Sequence, residues 1–464
     1  MQRGDQSSGL AAGADPFDPS HYVRFRSTGW SFDERTGEAL CSYALEAADG
    51  RRVELHETFR FPNVDRLAFD DDRRRVLHRL LDHLALVTGL SYYKLAAPAQ
   101  VVVEHGVWSD EDIAYHRALL TNGLGEFCWE NDLELLDPLW TFPVDRGSTR
   151  PPIGLSLPNG PLVPVGGGKD SCVTIEAMRR AGFAPTLVTV RRFPVIQDVI
   201  TASGLGDVAV ERVIDPSLVA LVERGALNGH VPVTAIVTWA SLIAALLGGH
   251  DAVVLSNERS ASEGNVRYRG AEINHQWSKS AEAEVLLSAA LERVTPSLRS
   301  FSLLRGMSEL SIARRFASTC QRYFSTFSSC NGAFRSDPSR RVDRWDGTCA
   351  KCQFVFLALA TVLDRREVES IWGIDVFASS PMAGFEALLG LTAWKPFECV
   401  GESVECRVAL AMVSERPDWR DHPVVSALCE AVRNAGLWPT TFQREAALTA
   451  DPVAMPIPYS SVLT

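Results

Sequence analysis

Three consecutive glycines constrain the fold of this 464-residue chain more than any other feature. Gly166, Gly167 and Gly168 directly follow an apolar run at residues 162–165 and directly precede a segment with helical periodicity. Glycine allows the positive φ values at which successive backbone N–H groups turn toward an anion, and a helix N-terminus adds partial positive charge. The sequence therefore predicts a strand, a phosphate-binding loop and a helix, in that order.

The residues after the glycines indicate which type of phosphate-binding loop the sequence resembles. Lys169 and Ser171 supply further donors, and Asp170 follows the lysine where the common nucleoside-triphosphatase loop requires Ser or Thr. The order Gly-Gly-x-Asp-Ser instead resembles the PP-loop of the ATP pyrophosphatase superfamily. That resemblance implies ATP bound by residues 166–171, Mg²⁺ near Asp170, catalytic roles for Lys169 and Asp170, and AMP with diphosphate as products. A purely structural tight turn is the alternative interpretation.

Strand and helix patterns alternate from about residue 151 onward. Strand candidates lie at residues 162–165, 185–190, 208–214 and 252–256, with helical stretches between them. This alternation predicts an α/β fold with a doubly wound parallel sheet. Ligands of such sheets bind beyond the carboxyl ends of the strands. We therefore expect the loop after residue 256 to face the same crevice, with Asn257 and Arg259 binding nucleotide and Glu258 taking part in catalysis.

The remaining chain differs in pattern from this central part. We predict a flexible tail at residues 1–16, an α+β region at 17–150, a PP-loop nucleotide-binding domain at 151–302 and a mostly helical C-terminal domain at 303–464. The α+β region begins with hairpin-like alternation over residues 22–61. The longest apolar stretch, residues 231–247, leads directly into a strand candidate, which favours a buried crossover helix over a membrane span.

Composition excludes several partners. The net charge of -11 argues against a nucleic-acid-binding surface, because neutralising phosphates requires clustered Lys and Arg. No membrane partner is expected. Ten cysteines are spread along the chain without a signal-peptide pattern ahead of them, which predicts reduced thiols and a cytoplasmic location.

Two further groups of residues are candidates for a site. Cys349 and Cys352 have the spacing of a zinc knuckle, and with Cys320 and Cys330 they would complete four ligands; core thiols at a helix start are the alternative. The polar segment at residues 272–279 contains His275 and Lys279, which are predicted to act on the substrate. A capped surface turn is the alternative there.

Four segments together resemble one enzyme family. They are residues 164–171, 256–260, 349–352 and 395–401. Their combination is similar to the UDP-N-acetylmuramoyl-L-alanyl-L-glutamate epimerases of peptidoglycan synthesis, which serve cell wall formation, cell shape and division. The resemblance implies a UDP-muramoyl dipeptide substrate whose terminal L-glutamate is activated as an acyl-adenylate, epimerised and released as D-glutamate.

The chemistry has a physical rationale, and two alternatives stay open. A Cα proton beside a carboxylate is a very weak acid, and adenylation removes the negative charge that opposes its loss. A PP-loop ligase would use the same adenylate but transfer ammonia or sulfur to it. A nucleotide-sensing module would bind ATP without turnover. The sequence alone leaves the proton-transfer residues open among His275, Lys279, Glu258 and the late cysteines.

Overall fold

The computed structural model describes residues 16–62, 64, 70–143, 150–158, 160–335 and 337–463. The predicted tail at residues 1–16 lies outside the described residues, apart from Pro16. The described strands are β1 (Tyr22–Asp33), β2 (Glu38–Ala47), β3 (Arg52–Arg60), β4 (Gln100–Val103), β5 (Leu139–Thr141), β6 (Pro161–Pro164), β7 (Thr186–Val190), β8 (Asp207–Ile214), β9 (Ala252–Leu255), β10 (Val266–Tyr268), β11 (Ala271–Ile273) and β12 (Arg299–Ser302).

The α-helices lie between and after these strands. They are α1 (Asp71–Tyr93), α2 (Asp110–Gly123), α3 (Gly125–Glu130), α4 (Lys169–Arg180), α5 (Pro194–Ser203), α6 (Ser217–Glu223), α7 (Val233–Gly248), α8 (Ala281–Val294), α9 (Glu309–Thr319), α10 (Ala350–Ala360), α11 (Arg365–Trp372), α12 (Val376–Ser379), α13 (Met382–Leu388), α14 (Ser403–Glu415), α15 (Pro423–Asn434) and α16 (Thr441–Ala446). The described part of the chain after β12 is thus mostly helical, as the sequence predicts.

Ten of the strands form one sheet, in the order β12-β9-β6-β7-β8-β3-β2-β1-β4-β5. Neighbours are parallel from β12 to β8 and again from β1 to β5, whereas β8, β3, β2 and β1 pair antiparallel. The fold is therefore α/β with a large, mostly parallel central sheet. The antiparallel pairing of β3 with β8 joins the N-terminal hairpins to the parallel strands. The predicted domain boundaries stay a prediction.

Apolar cores cover both faces of the sheet. Successive strand residues point to opposite faces, and Leu162 packs with α1 and α7 while Val163 packs with α4 and α10. The apolar run before the glycines is consequently buried on both sides. Helix α7 is a core helix, with Trp239 fully buried. Within the described ranges, no helix combines the length and apolarity needed to cross a membrane.

Candidate active site

The carboxyl ends of β6 and β9 open onto one cavity of about 390 Å³. The glycine loop follows β6 and the segment beginning at Ser256 follows β9, so both lie at the same edge of the sheet. The polar and charged residues that line the cavity are Lys169, Asp170, Ser171, Arg191, Thr234, Ser256, Asn257, Glu258, Lys279, Glu309, Ser329, Lys351 and Cys399. Most of the residues predicted to form the site are thus neighbours in space.

The glycine loop presents unused backbone donors. Gly167 has a φ of 81°, a left-handed conformation that favours glycine, and its carbonyl accepts from the Ser328 N–H at 2.9 Å. Gly168 is the N-cap of α4 and provides no side-chain cap. Within the described residues, the N–H groups of Gly166, Gly167 and Gly168 donate to no protein atom. This loop fits the oxygens of a phosphate chain.

A buried ion cluster lies at the start of α4. The ammonium of Lys169 is 2.5 Å from Asp170 Oδ1 and also bonds the carboxylate of Glu309. Burial alone would lower the pKa of Lys169, but the two carboxylates outweigh it and raise that pKa, so the lysine stays charged. The Asp170 side chain keeps 31% exposure and lines the cavity. Its carboxylate is the oxygen donor type that Mg²⁺ requires.

Two further cations line the cavity near the glycine loop. Arg191 directly follows β7, and Lys351 lies in the first turn of α10. Both side chains line the cavity, so their positive charges lie where an anion could bind. Sequence reasoning missed both residues. Arg191 could have been found, because it occupies the carboxyl end of a predicted parallel strand.

A thiol and two basic side chains form a second group at the site. Nζ of Lys279 lies 3.0 Å from Sγ of Cys399, and the imidazole of His275 also bonds this thiol. Burial would raise the pKa of Cys399, but the charges of Lys279 and Lys351 and the His275 bond hold it well below its usual range. This lowered pKa favours the thiolate, which is the basic form of the side chain.

Glu258 faces the same cavity with the opposite protonation preference. Its side chain is buried, and burial raises the pKa of its carboxyl group. A thiol with a lowered pKa and a carboxyl group with a raised pKa therefore line one cavity, a combination suited to base and acid chemistry.

The remaining predicted residues have supporting contacts. His275 bonds Glu126 and lies beside His230; burial would lower the pKa of His275, but the bonds to Cys399 and Glu126 raise it to about 9. The Asn257 amide donates to Ser302 at 3.0 Å. Ser171 is also engaged within the protein, since its hydroxyl donates to the Gly168 carbonyl.

Arg259 does not line the cavity, although the sequence predicted that it would bind nucleotide. Its guanidinium contacts the carboxylates of Glu405 and Asp451 at 3.2 and 3.4 Å. Arg259 belongs to a short 3-10 helix, which turns its side chain toward the C-terminal helices. These contacts link the segment after β9 to Glu405 on α14 and to Asp451.

Three of the four predicted zinc ligands come together outside the cavity. Cys330, Cys349 and Cys352 lie close to one another, and Asp346 is the fourth member of the group. Cys320 lies in the apolar core instead, where its thiol contacts Thr319. Cys320 is the C-cap residue of α9 and packs in the core with that helix, so it is not a member of the cluster.

Fold and cavity together define an α/β protein in which a glycine loop lies beside a thiol, a carboxyl group and several cations. Residues 16–303 match the model described as the MurL N-terminal domain, and residues 326–441 match the MurL C-terminal domain. The chain belongs to the MurL family. This confirms the resemblance to the epimerase family inferred from the sequence.

Relatives of this family cover almost the whole chain. Proteins named UDP-N-acetyl-alpha-D-muramoyl-L-alanyl-L-glutamate epimerase from Salinispora tropica and a Micromonospora species are each 42% identical over 95% of this chain, covering 95% and 97% of the relatives. The protein of that name from Xanthomonas oryzae pv. oryzae is 39% identical over 88% of this chain and 90% of its own length. The chain is accordingly an epimerase of peptidoglycan synthesis, which is an isomerase.

Proposed function

We propose that the enzyme uses ATP to epimerise the terminal L-glutamate of UDP-N-acetylmuramoyl-L-alanyl-L-glutamate through an acyl-adenylate. The observation that carries the proposal is the shared cavity, in which the glycine loop lies near the Cys399 thiolate and Glu258. An anion site alone would suit any nucleotide-binding protein. An acid–base pair beside it fits a reaction that both activates a carboxylate and moves a proton.

Adenylation is the step that makes the proton transfer feasible. The substrate carboxylate attacks the α phosphorus of ATP, the bond to the β phosphate breaks, and diphosphate leaves. The resulting mixed anhydride carries no carboxylate charge and withdraws electrons from Cα. A base of ordinary strength can then remove the Cα proton. Water finally cleaves the anhydride, so the net products are the D-glutamyl isomer, AMP and diphosphate.

The glycine loop is suited to the triphosphate. The free N–H groups of residues 166–168 would bind phosphate oxygens, and Arg191 and Lys351 would neutralise their charge. Asp170 would hold Mg²⁺, which screens the phosphates when bound. Lys169 forms ion pairs with both Asp170 and Glu309, and it thereby holds the Asp170 carboxylate in place. Several apolar side chains line the cavity, Val188 and Val237 among them, and they offer a surface for the adenine ring.

We assign proton removal to Cys399 and proton return to Glu258. The thiolate takes the proton from Cα of the L-glutamyl adenylate, and the carboxylic acid delivers one to the other face. Lys279 and His275 hold Cys399 in its charged form through their contacts with Sγ. Thus the two charged partners are positioning residues in this mechanism.

The proposed reaction is tested by identifying and quantifying its products. Full-length enzyme is incubated with ATP, Mg²⁺ and UDP-N-acetylmuramoyl-L-alanyl-L-glutamate, followed by chiral analysis of the glutamate and quantification of AMP. We expect D-glutamate to appear only with ATP, together with AMP and diphosphate. Inversion at full rate without ATP would contradict an acyl-adenylate intermediate. Incorporation of ammonia or sulfur into the product would support a ligase instead.

The reactivity of Cys399 gives an independent prediction. Only the thiolate reacts with iodoacetamide, and because its folded pKa is lowered, Cys399 should stay reactive as the pH falls. We expect its alkylation rate to change less than about twofold between about pH 8 and 7, where an ordinary thiol with a pKa near 8.5 slows by close to tenfold.

Peptide mass spectrometry measures this rate at Cys399 itself. The control is Lys279→Met, which removes the ammonium 3.0 Å from the sulfur and should restore a steep pH dependence. A wild-type rate that falls as steeply as that of free cysteine would contradict the thiolate assignment.

A further inference from the structure

A compact group of sulfur and oxygen atoms comes from four residues that do not line the cavity. One ligand atom from each of Cys330, Asp346, Cys349 and Cys352 lies within 4.8 Å of all the others. Sγ of Cys330 is 3.8 Å from Sγ of Cys349, and Sγ of Cys352 is 3.3 Å from Asp346 Oδ1. Residues from two separate segments therefore converge on one point.

These separations suit a tetrahedral metal ion. Two thiolates that each lie about 2.3 Å from a tetrahedral zinc ion are themselves about 3.8 Å apart. Soft thiolate ligands select zinc over Mg²⁺ or Ca²⁺, which require oxygen ligands. We propose that Cys330, Asp346, Cys349 and Cys352 bind one structural zinc ion. Four protein ligands leave no open position for a substrate or water, so the ion would have no catalytic role.

The surroundings of the four residues support a built site. Cys330 and Cys352 are buried, and they pack with Val195 and Ala333 in a small apolar core. The backbone N–H of Asp346 donates to Cys330 Sγ at 3.3 Å, and the N–H of Cys349 donates to Asp346 Oδ1 at 3.0 Å. Hydrogen bonds of this kind orient metal ligands and stabilise their negative charge.

The position of the ion explains what it would stabilise. The described residues between Cys330 and Cys349 contain only short 3-10 turns, so the backbone alone holds this segment weakly. Ser328, two residues before the first ligand, bonds the carbonyl of Gly167, and Cys349 is the N-cap of α10. The zinc would tie the support of the glycine loop to the helix that carries Lys351.

Metal analysis of the full-length protein tests the site without reference to activity. The protein is purified from zinc-supplemented culture under reducing conditions and without chelators, and its metals are measured by mass spectrometry. We expect about one equivalent of zinc in the wild type and less than about 0.1 in Cys349→Ser. Cys320→Ser, which removes a buried thiol outside the cluster, should keep the full equivalent.

A second variant keeps the inference falsifiable if Cys349→Ser does not fold. Asp346→Cys creates a four-thiolate site, and it should retain one equivalent and release zinc more slowly to a chromogenic chelator. A chelator should lower the Tm of the wild type. Zinc below about 0.1 equivalents in the wild type, or another metal at one equivalent, would overturn the proposal. Loss of zinc from Cys320→Ser as well would overturn this ligand set.

Discussion

Replacing Asp170 with alanine is expected to lower AMP formation by about a thousandfold while the protein stays folded. The carboxylate is the proposed Mg²⁺ ligand, and loss of one such group that stabilises developing charge costs about 10²–10³ in rate. The change also removes one of the two carboxylates that neutralise Lys169. The measurement is AMP release under saturating ATP and dipeptide substrate, with circular dichroism as the check on folding.

The matched control is Asp198→Ala, which removes an exposed carboxylate from the neighbouring helix α5. It should retain wild-type turnover, because the side chain does not line the cavity. Normal AMP formation by the Asp170 variant would show that the loop is only a structural turn. It would contradict the assignment of this loop as the nucleotide-binding site.

Removing the Cys399 thiol should separate the two halves of the reaction. With Cys399→Ala we expect Cα deuterium incorporation from deuterated water to fall by about 10²–10⁴, the usual contribution of a general base. AMP formation should continue, because adenylation uses the glycine loop and not the thiol. Both are read from one reaction, by mass spectrometry of the glutamate and by nucleotide chromatography.

Glu258→Gln is the informative partner variant, since it removes the proposed acid and leaves the thiolate. We expect it to exchange the Cα proton of the L-substrate with solvent while forming little D-glutamate. Retained inversion in Cys399→Ala would exclude the thiolate as the base. Loss of AMP formation in that variant, with its fold intact, would indicate that Cys399 acts in adenylation instead.

Local patterns in the sequence predict the centre of the fold well. The run at residues 162–165 and the helix after Gly168 correspond to β6 (Pro161–Pro164) and α4 (Lys169–Arg180). Both elements depend on neighbouring residues alone. The strand is an apolar run buried on both faces, and the helix begins directly after the glycines. The loop after β9 was also placed correctly at the same edge of the sheet.

The parts that were missed depend on distant contacts. Cys399 reaches Lys279 across 120 positions, and no local period indicates that pairing. Glu309 is the first residue of α9, a position that a surface carboxylate could equally occupy. Its carboxylate nevertheless bonds Lys169. Asp346 belongs to the cluster, although nothing in the local sequence marks this carboxylate as a metal ligand. The identity of a candidate residue could be predicted, whereas its partner could not.

The pairing of β3 with β8 also constrains how the chain is made. Arg60 on β3 contacts Glu211 on β8, a separation of 151 residues. A ribosome adds about 5–20 residues per second, so the free edge of β3 waits roughly 8–30 s for its partner to be synthesised. An unpaired strand edge is a template for association between chains. A nascent copy of this chain therefore passes through an interval in which the edge of β3 is unpaired and open to association with other chains.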